Sequence, residues 1–442
     1  MSMSSAGSVS TKPVPLSETL TWRDLYEFYT DVQSSIAWRV KRYGRIYSWK
    51  PIRRVVMMLG ADANQFVLVQ NPKLFSAQQA WYESIGILFK GGLLNRDGSD
   101  HRQHRRLLMP VFRQQAINFY LEQAEPIIAQ HLKAWPKDCP DIYLLVKELT
   151  LHIAIRSFFG IEDPKEIKLY NRYLSEIVAG SIAFIKAPVI GKTYQRALRA
   201  RRELIKLLRP LVLKRRSEPT GDMVGQLCQS IDESGNILSD EEIIDQMLFI
   251  IMAAHDTTAS TLASLFYELA LNPEWQEILH EESQAVTAKK LSVSELPDSL
   301  ESHHLVIKET LRKNTPLKLI PRVNLEAFTF EGYLLEAGQL ISTCPAYSHF
   351  MEEYWTKPLQ FDPLRFHADR AEHKTHPYAF MPFGGGVHTC IGQFFAEKIL
   401  SVILHHIVSR YRWTVPNVET QKFQQVPIQV PKKRLPVELI RR

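Results

Sequence analysis

The stretch "FMPFGGGVHTC", Phe380 to Cys390, runs three consecutive glycines toward a cysteine, and "IGQFFAEKIL" (391–400) follows at once with helical patterning. A cysteine just before a helix faces N–H groups that lack partners and carry partial positive charge. That environment lowers a thiol's pKa and favours thiolate. Gly384, Gly385 and Gly386 let the backbone turn tightly and approach a flat ligand closely, and Phe383 is placed to shield the sulfur from water. A shielded thiolate is a nucleophile or a metal ligand. A nucleophile needs a positioned base, and His388 is near in sequence without an evident orienting partner.

The rest of the chain narrows the choice. At 442 residues it exceeds the usual single-core size, so one large domain or two are open. Hydrophobic residues at 45% and charged residues at 23% fit a soluble globular enzyme whose core encloses a ligand. A net charge of +7 permits docking of an acidic partner. The four cysteines, Cys139, Cys228, Cys344 and Cys390, form no CxxC pair and no zinc-spaced cluster. Free thiols and a reducing, cytoplasmic location are expected. The N-terminal "MSMSSAGSVSTKPVP" has no apolar core of a secretory signal, and no apolar run reaches 18 residues. A soluble protein without a transmembrane anchor is expected.

Residues 1–16 read as a disordered arm and 17–442 as one domain. "VVMMLGADANQFVLVQNP" (55–72) mixes a short β run with a helix and a proline stop. Residues 101–290 are mainly helical, and the region after Leu319 is strand-rich. Ile399, Ile403 and Ile407 recur on one face of the last long helix. Ser239 and Glu242 form a capping-box pattern that opens a run lasting until Pro273. Roughly thirty residues at ~1.5 Å each give on the order of 45 Å. The middle of that helix is apolar nearly all round, so it is buried. Yet "HDTT" (255–258) sits there, and burying an unpaired carboxylate costs several kcal/mol. A mainly α fold with a smaller β part follows. A lone thiolate behind glycines suits haem iron, where a Cys ligand favours O–O cleavage; an inert buried cysteine is the plainer alternative.

"FGGGVHTCIG" (383–392) resembles the cytochrome P-450 signature F-x-x-G-x-x-x-C-x-G, with Phe383, Gly386, Cys390 and Gly392 in place. "AAHDTT" (253–258) is similar to that family's oxygen-activation motif A-G-x-D/E-T-T, "ETLR" (309–312) to its E-x-x-R motif, and "FDPLRF" (361–366) to its second-arginine segment. The motifs stand in the family's chain order, and the resemblance spans about residues 20–440. It implies the cytochrome P-450 fold, haem b as cofactor and Cys390 as the proximal iron ligand. Glu309, Arg312 and Arg365 are implied to form a buried salt-bridged triad, a use suited to bidentate arginine–carboxylate pairing. His101 and Arg105 in "HRQHRR", His388 and Arg322 are implied to meet the haem propionates; His104 and Arg106 are left as surface residues.

The implied reaction inserts one oxygen atom of O2 into an unactivated C–H bond. Asp256 and Thr257 are placed for proton delivery, with Asp256 linking water to bulk and the Thr257 hydroxyl bonding the Ala253 carbonyl one turn back. Ala254 replaces the usual glycine, and its methyl is expected to narrow the oxygen groove.

Segments 80–92, 180–191, 249–254 and 316–321 match the family's substrate contacts and are mostly apolar, which argues for a hydrophobic substrate. "HDTTAS" resembles retinoid-oxidising branches and "GGGVHTCIG" sterol-oxidising ones; terpenoid, steroid and fatty-acyl substrates are the classes considered. No G-x-G-x-x-G follows a strand, so a separate ferredoxin or flavodoxin-type donor is implied, which positive charge suits. The basic stretch 196–216 lacks aromatic interleaving and reads as a solvated helix face, not a nucleic-acid site. Two other function classes remain open: a haem-thiolate isomerase, dehydratase or peroxygenase, which the Asp256–Thr257 pair disfavours, and a haem sensor or carrier.

Overall fold

The computed structural model describes residues 12–17, 21–50, 54–181 and 192–442. After a two-residue strand at Lys12–Pro13 and two helices, Trp22–Thr30 and Val32–Tyr43, come strands β1 (Ile46–Trp49), β2 (Val55–Met58) and β3 (Phe75–Ser76), and the short helix α1 (Ala77–Trp81) follows. Helices α2 (Gly98–Leu108), α3 (Gln114–Ala134), α4 (Ile142–Phe159), α5 (Pro164–Ser181) and α6 (Lys192–Ser217) lead to α7 (Asp240–Leu271). Next come α8 (Pro273–Ala288) and α9 (Glu301–Lys313), then strands β4 (Ile320–Asn324) and β5 (Leu340–Thr343). Helix α10 (Gln393–Arg410) follows the cysteine loop, and strands β6 (Phe423–Gln424) and β7 (Val430–Pro431) pair as a hairpin. The helix-rich architecture with a smaller β part is as the patterning predicts.

Helix α7 is 32 residues long and opens on the expected capping box: the Ser239 hydroxyl accepts from Glu242 N–H while the Glu242 carboxylate accepts from Ser239 N–H. It stops where Pro273 takes the first position of α8, the helical position that needs no N–H. The turns on either side of its middle are buried on nearly every side, among residues of α3, α4 and α10 in the main core. It is the helix, among the described residues, long and apolar enough to cross a membrane, but its apolar window is 67% buried within the fold. Tertiary packing, at roughly 1.5–3 kcal/mol per buried large side chain, holds it. The middle differs: Met252, Ala253, Ala254, Thr257 and Thr258 keep accessible surface while the flanking turns are buried.

The main sheet has the order β1-β2-β5-β4-β3. Strand β2 runs parallel to β5, while the other three pairings are antiparallel. Every residue of β1 and β2 is buried, so both faces are covered. Strand β4 carries Arg322 inward, and edge strand β3 feeds directly into α1.

The N-terminal arm needs correction where it is described. Residues 1–11 lie outside the described residues, but Lys12–Pro13 pair in parallel with Tyr333–Leu334, and Leu16 bridges Ser48. An extended proline-containing segment can join a sheet only at its edge, where the missing N–H faces no partner.

Candidate active site

The cysteine loop is closed by its own backbone. Cys390 N–H donates to the Phe383 carbonyl at 3.0 Å, and Thr389 donates both N–H and hydroxyl to the Gly386 carbonyl. Gly384 and Gly386 have φ of 70° and 65°, the left-handed region that side chains resist. A Cβ on Gly386 would lie 2.0 Å from the Leu68 carbonyl oxygen, and one on Gly385 would lie 2.1 Å from the Met381 methyl. Their freedom thus serves the loop's own fold and its packing on residues 66–70. Gly392 has φ −90°, and an added Cβ there would make only a 3.6 Å contact with Phe112. Phe383 packs its half-buried ring against the main core.

Cys390 has accessible surface, although protein surrounds it closely enough that burial dominates its thiol. The two observations agree if the sulfur faces an interior slot. Burial pushes the thiol up; the Gly392 N–H and the Arg105 guanidinium pull it down without prevailing. The expected lowering by the helix N-terminus is therefore outweighed by burial.

Four bases gather beside the loop. Arg105 donates to the Thr389 carbonyl at 2.8 Å. The rings of His101 and His388 lie 4.1 Å apart, and His388 Nε2 stands 3.6 Å from Asp97. Buried Arg322 donates to the Pro321 carbonyl at 2.8 Å and has no ion pair among the described residues. Burial pushes Arg322 down to about 10. Burial, with the charges of His388 and Arg105, pushes His101 down to about 3, and its Nε2 is buried without a hydrogen-bond partner. Asp97 is held below the usual carboxylate range: burial would raise it, but bonds from His388, Ser76 and the N–H groups of Ala77 and Gln78 outweigh burial.

At mid-α7 the Thr257 hydroxyl donates to the Ala253 carbonyl at 2.8 Å, as expected. Asp256 is itself buried, so it does not open to bulk. Its Oδ1 lies 3.0 Å from both Lys147 Nζ of α4 and His255 Nδ1. Burial would raise its carboxyl, and His255 and Lys147 lower it further than burial lifts it. Lys147 keeps 28% of its side chain exposed. Ala254 and Thr258 line a cavity of about 20 Å³ with Thr150, Ala154 and Phe395, so the Ala254 methyl faces free space between α4, α7 and α10.

The triad residues meet. Arg312 grips Glu309 with two bonds at 2.7 and 2.8 Å, and Arg365 Nε reaches it at 3.2 Å, all three side chains being fully buried. Glu372 joins as a fourth member, 2.7 Å from Arg365 Nη1. His349 ties this cluster to the cysteine loop, with Nδ1 on the Arg312 carbonyl and Nε2 accepting from Met381 N–H.

Sequence reading missed Asp97, Lys147, His255, His349 and Glu372. It also left His104 on the surface, yet His104 is buried and bridges the Asp100 carbonyl to Glu242 at 3.0 Å. The basic stretch is only partly solvated: Arg201, Arg215 and Arg216 turn inward to Asp245, Asp222 and Asp240. Of the substrate segments, 182–191 lie outside the described residues. Ile85, Leu88 and Phe89 are core residues, while Phe249, Met252 and Leu317 keep partial exposure. Lys318 departs from the apolar pattern: it is buried, which pushes its ammonium down to about 8.

These residues fit a haem. An accessible sulfur deep in the chain answers iron, an orphaned His101 nitrogen and an unpaired buried Arg322 answer propionate oxygens, and the opened face of α7 lies free for a distal ligand. The cytochrome P450 family model matches residues 11–440. The chain is 35% identical over 391 residues, 87% of its length and 79% of the relative's, to a putative cytochrome P450 136 of Mycobacterium tuberculosis. It is 29% identical to the taxane 10-beta-hydroxylase of Taxus cuspidata, covering 88% of this chain and 80% of that one. The retinoic acid-bound cyanobacterial CYP120A1 superposes with a TM-score of 0.87 at 24% identity, covering 98% of this chain and 100% of that one. With motif, geometry and relatives in agreement, the chain belongs to the cytochrome P450 family and is a haem-iron monooxygenase.

Proposed function

We propose that Cys390 ligates the iron of haem b and that the enzyme hydroxylates an apolar, isoprenoid-type substrate with electrons from a ferredoxin or flavodoxin. The observation that carries this reading is the accessible Cys390 sulfur set beside four bases and one acid. Thiolate-ligated haem supplies O2 cleavage when bound. The balance is one C–H bond, O2, two electrons and two protons giving an alcohol and water.

The chain's own residues hold and time the protons. Thr257 spends its hydroxyl proton on the Ala253 carbonyl, which leaves Oγ1 free to accept from a water. Asp256 stores negative charge one residue away, and Lys147 joins it to solvent. His101, Arg105, Arg322 and His388 are the propionate partners, and charge-assisted bonds of this kind are the strong ones. The Glu309–Arg312–Arg365 cluster supports the loop and does no chemistry.

Apolar Phe249, Met252 and Leu317 support a hydrophobic substrate. Retinoic acid and taxanes, named with the relatives, are both isoprenoids, which supports that class. Arg102 and Arg106 on α2 and Arg113 before α3 are exposed, and α2 also carries Arg105, which reaches the cysteine loop; this positive charge suits an acidic donor. The described cysteines are all free, which supports a cytoplasmic location.

Reduced protein with carbon monoxide is expected to show the red-shifted Soret band of thiolate ligation, and Cys390→His to lose it; a nitrogen-type band in the unaltered protein refutes the reading. Turnover under 18O2 with retinoic acid and a ferredoxin system places one labelled atom in product. Thr257→Ala is expected to consume reductant without product. Product formed from peroxide alone, with none from O2, favours the peroxygenase class.

A further inference from the structure

Among the described residues, Asp97 is the one acid beside the bases of the proposed haem seat. It sits among His101, Arg105, Arg322 and His388, where a carboxylate competes with the propionates proposed above. Its oxygens are also engaged on the opposite side. Oδ2 accepts the Ser76 hydroxyl at 2.5 Å, and Oδ1 accepts Ala77 N–H at 3.0 Å. The Ser76 hydroxyl in turn accepts from Gln79 N–H and caps α1. Arg96, the preceding residue, donates to the Gly91 carbonyl at 3.0 Å, which also accepts from Gln246 of α7 at 2.8 Å. Two consecutive side chains therefore hold both ends of segment 76–91, whose last residue, Gly91, meets α7.

We infer that Asp97 is a positioning residue that couples the haem seat to this segment: its carboxylate holds the root of the segment on one side and His388 on the other. The inference rests on the haem reading. Two propionates seated on His101, Arg105 and Arg322 fix the His101–His388 ring pair, and His388 then holds Asp97 in the orientation that grips Ser76 and Ala77. Filling the haem seat thereby orders segment 76–91 without touching it. Arg96 and Gln246 hold the far end in either state, so the root is the end that responds.

Hydrogen exchange of the amides of 77–91 tests this in the full chain, with α8 amides as the control for global folding. In the unaltered protein, removing haem is expected to raise exchange of 77–91 on the order of tenfold, the weight of one hydrogen bond to a charged group. In Asp97→Asn the segment exchanges fast with or without haem, while the carbon monoxide complex keeps its thiolate band. Reconstitution with haem dimethyl ester, which lacks propionate charge, is expected to leave the segment fast in the unaltered protein. Ser76→Ala, which spares every cradle residue, reproduces the Asp97→Asn result if that variant does not fold. Protection that is independent of haem in the unaltered protein, or that survives in Asp97→Asn or Ser76→Ala, overturns the coupling. A chain that takes up no haem at all instead refutes the haem reading.

Discussion

Two buried charge clusters flank the cysteine loop, and they are built oppositely. In the Glu309 cluster two arginines meet two carboxylates, and the remaining guanidinium N–H groups reach the carbonyls of His349, Thr356 and Gln360. In the cradle, His101, Arg322 and His388 share Asp97; among the described residues one imidazole nitrogen has no partner and Arg322 leans on a single neighbouring carbonyl. Burying unpaired charge is costly, so a folded chain keeps such a cluster when something else completes it. A self-satisfied cluster reads as structure; an unsatisfied one reads as a seat.

Single substitutions separate the two. Glu309→Ala strands both arginines and is expected to lose ~3–5 kcal/mol of folding stability, read as a lowered denaturant midpoint or failure to fold. Arg322→Leu is expected to leave the haem-free protein as stable or more so, because it removes a buried charge with no ion pair. Its haem transfers to apomyoglobin on the order of tenfold faster or more. A stability loss in Arg322→Leu as large as in Glu309→Ala would erase the distinction.

Acid probes the bridge between the clusters. Burial pushes His349 and His406 down to about 3, and His152 and His405 down to about 4. In the unfolded chain these rings bind protons near ~6.5. The unfolded state therefore gains protons first, so their contribution is whole above ~6.5 and is lost as pH falls toward the lowered values. Each ring contributes at most ~1.4 kcal/mol per pH unit. Urea midpoints at pH 7 and pH 5 should differ accordingly, and His349→Gln should shrink that difference by one ring's share. An unchanged slope would mean that His349 does not join the triad to the loop through its neutral form.

Lys147 with Asp256 and His255 forms a third cluster. Lys147→Met leaves buried Asp256 with His255 as its remaining partner, so it is expected to cost less stability than Glu309→Ala, yet to lower the product formed per reductant consumed. A stability loss near that of Glu309→Ala would make this a second structural cluster; unchanged coupling would remove Lys147 from proton delivery.

Local chemistry was readable along the chain. Cys390, Thr257 and the capping box at Ser239 each depend on neighbours within a few residues, so type and spacing sufficed. The partners that complete the site were not readable, because their separations are long: Asp256 meets Lys147 across 109 positions, and Arg365 meets Glu309 across 56. His349 looked like an ordinary histidine in "PAYSHF" until the fold set it between Arg312 and Met381. The need for glycine before Cys390 is legible in the sequence, but the packing of Gly386 on Leu68 is not, since Leu68 is far away in the chain.

By itself the sequence determined the sulfur, the long buried helix with a polar break, and the residues able to carry charge, because backbone and motif chemistry act over one or two turns. Tertiary structure alone decided which charges are paired and which are left open. Pairing depends on distances between elements far apart in the chain, and burial then sets what an unpaired group costs.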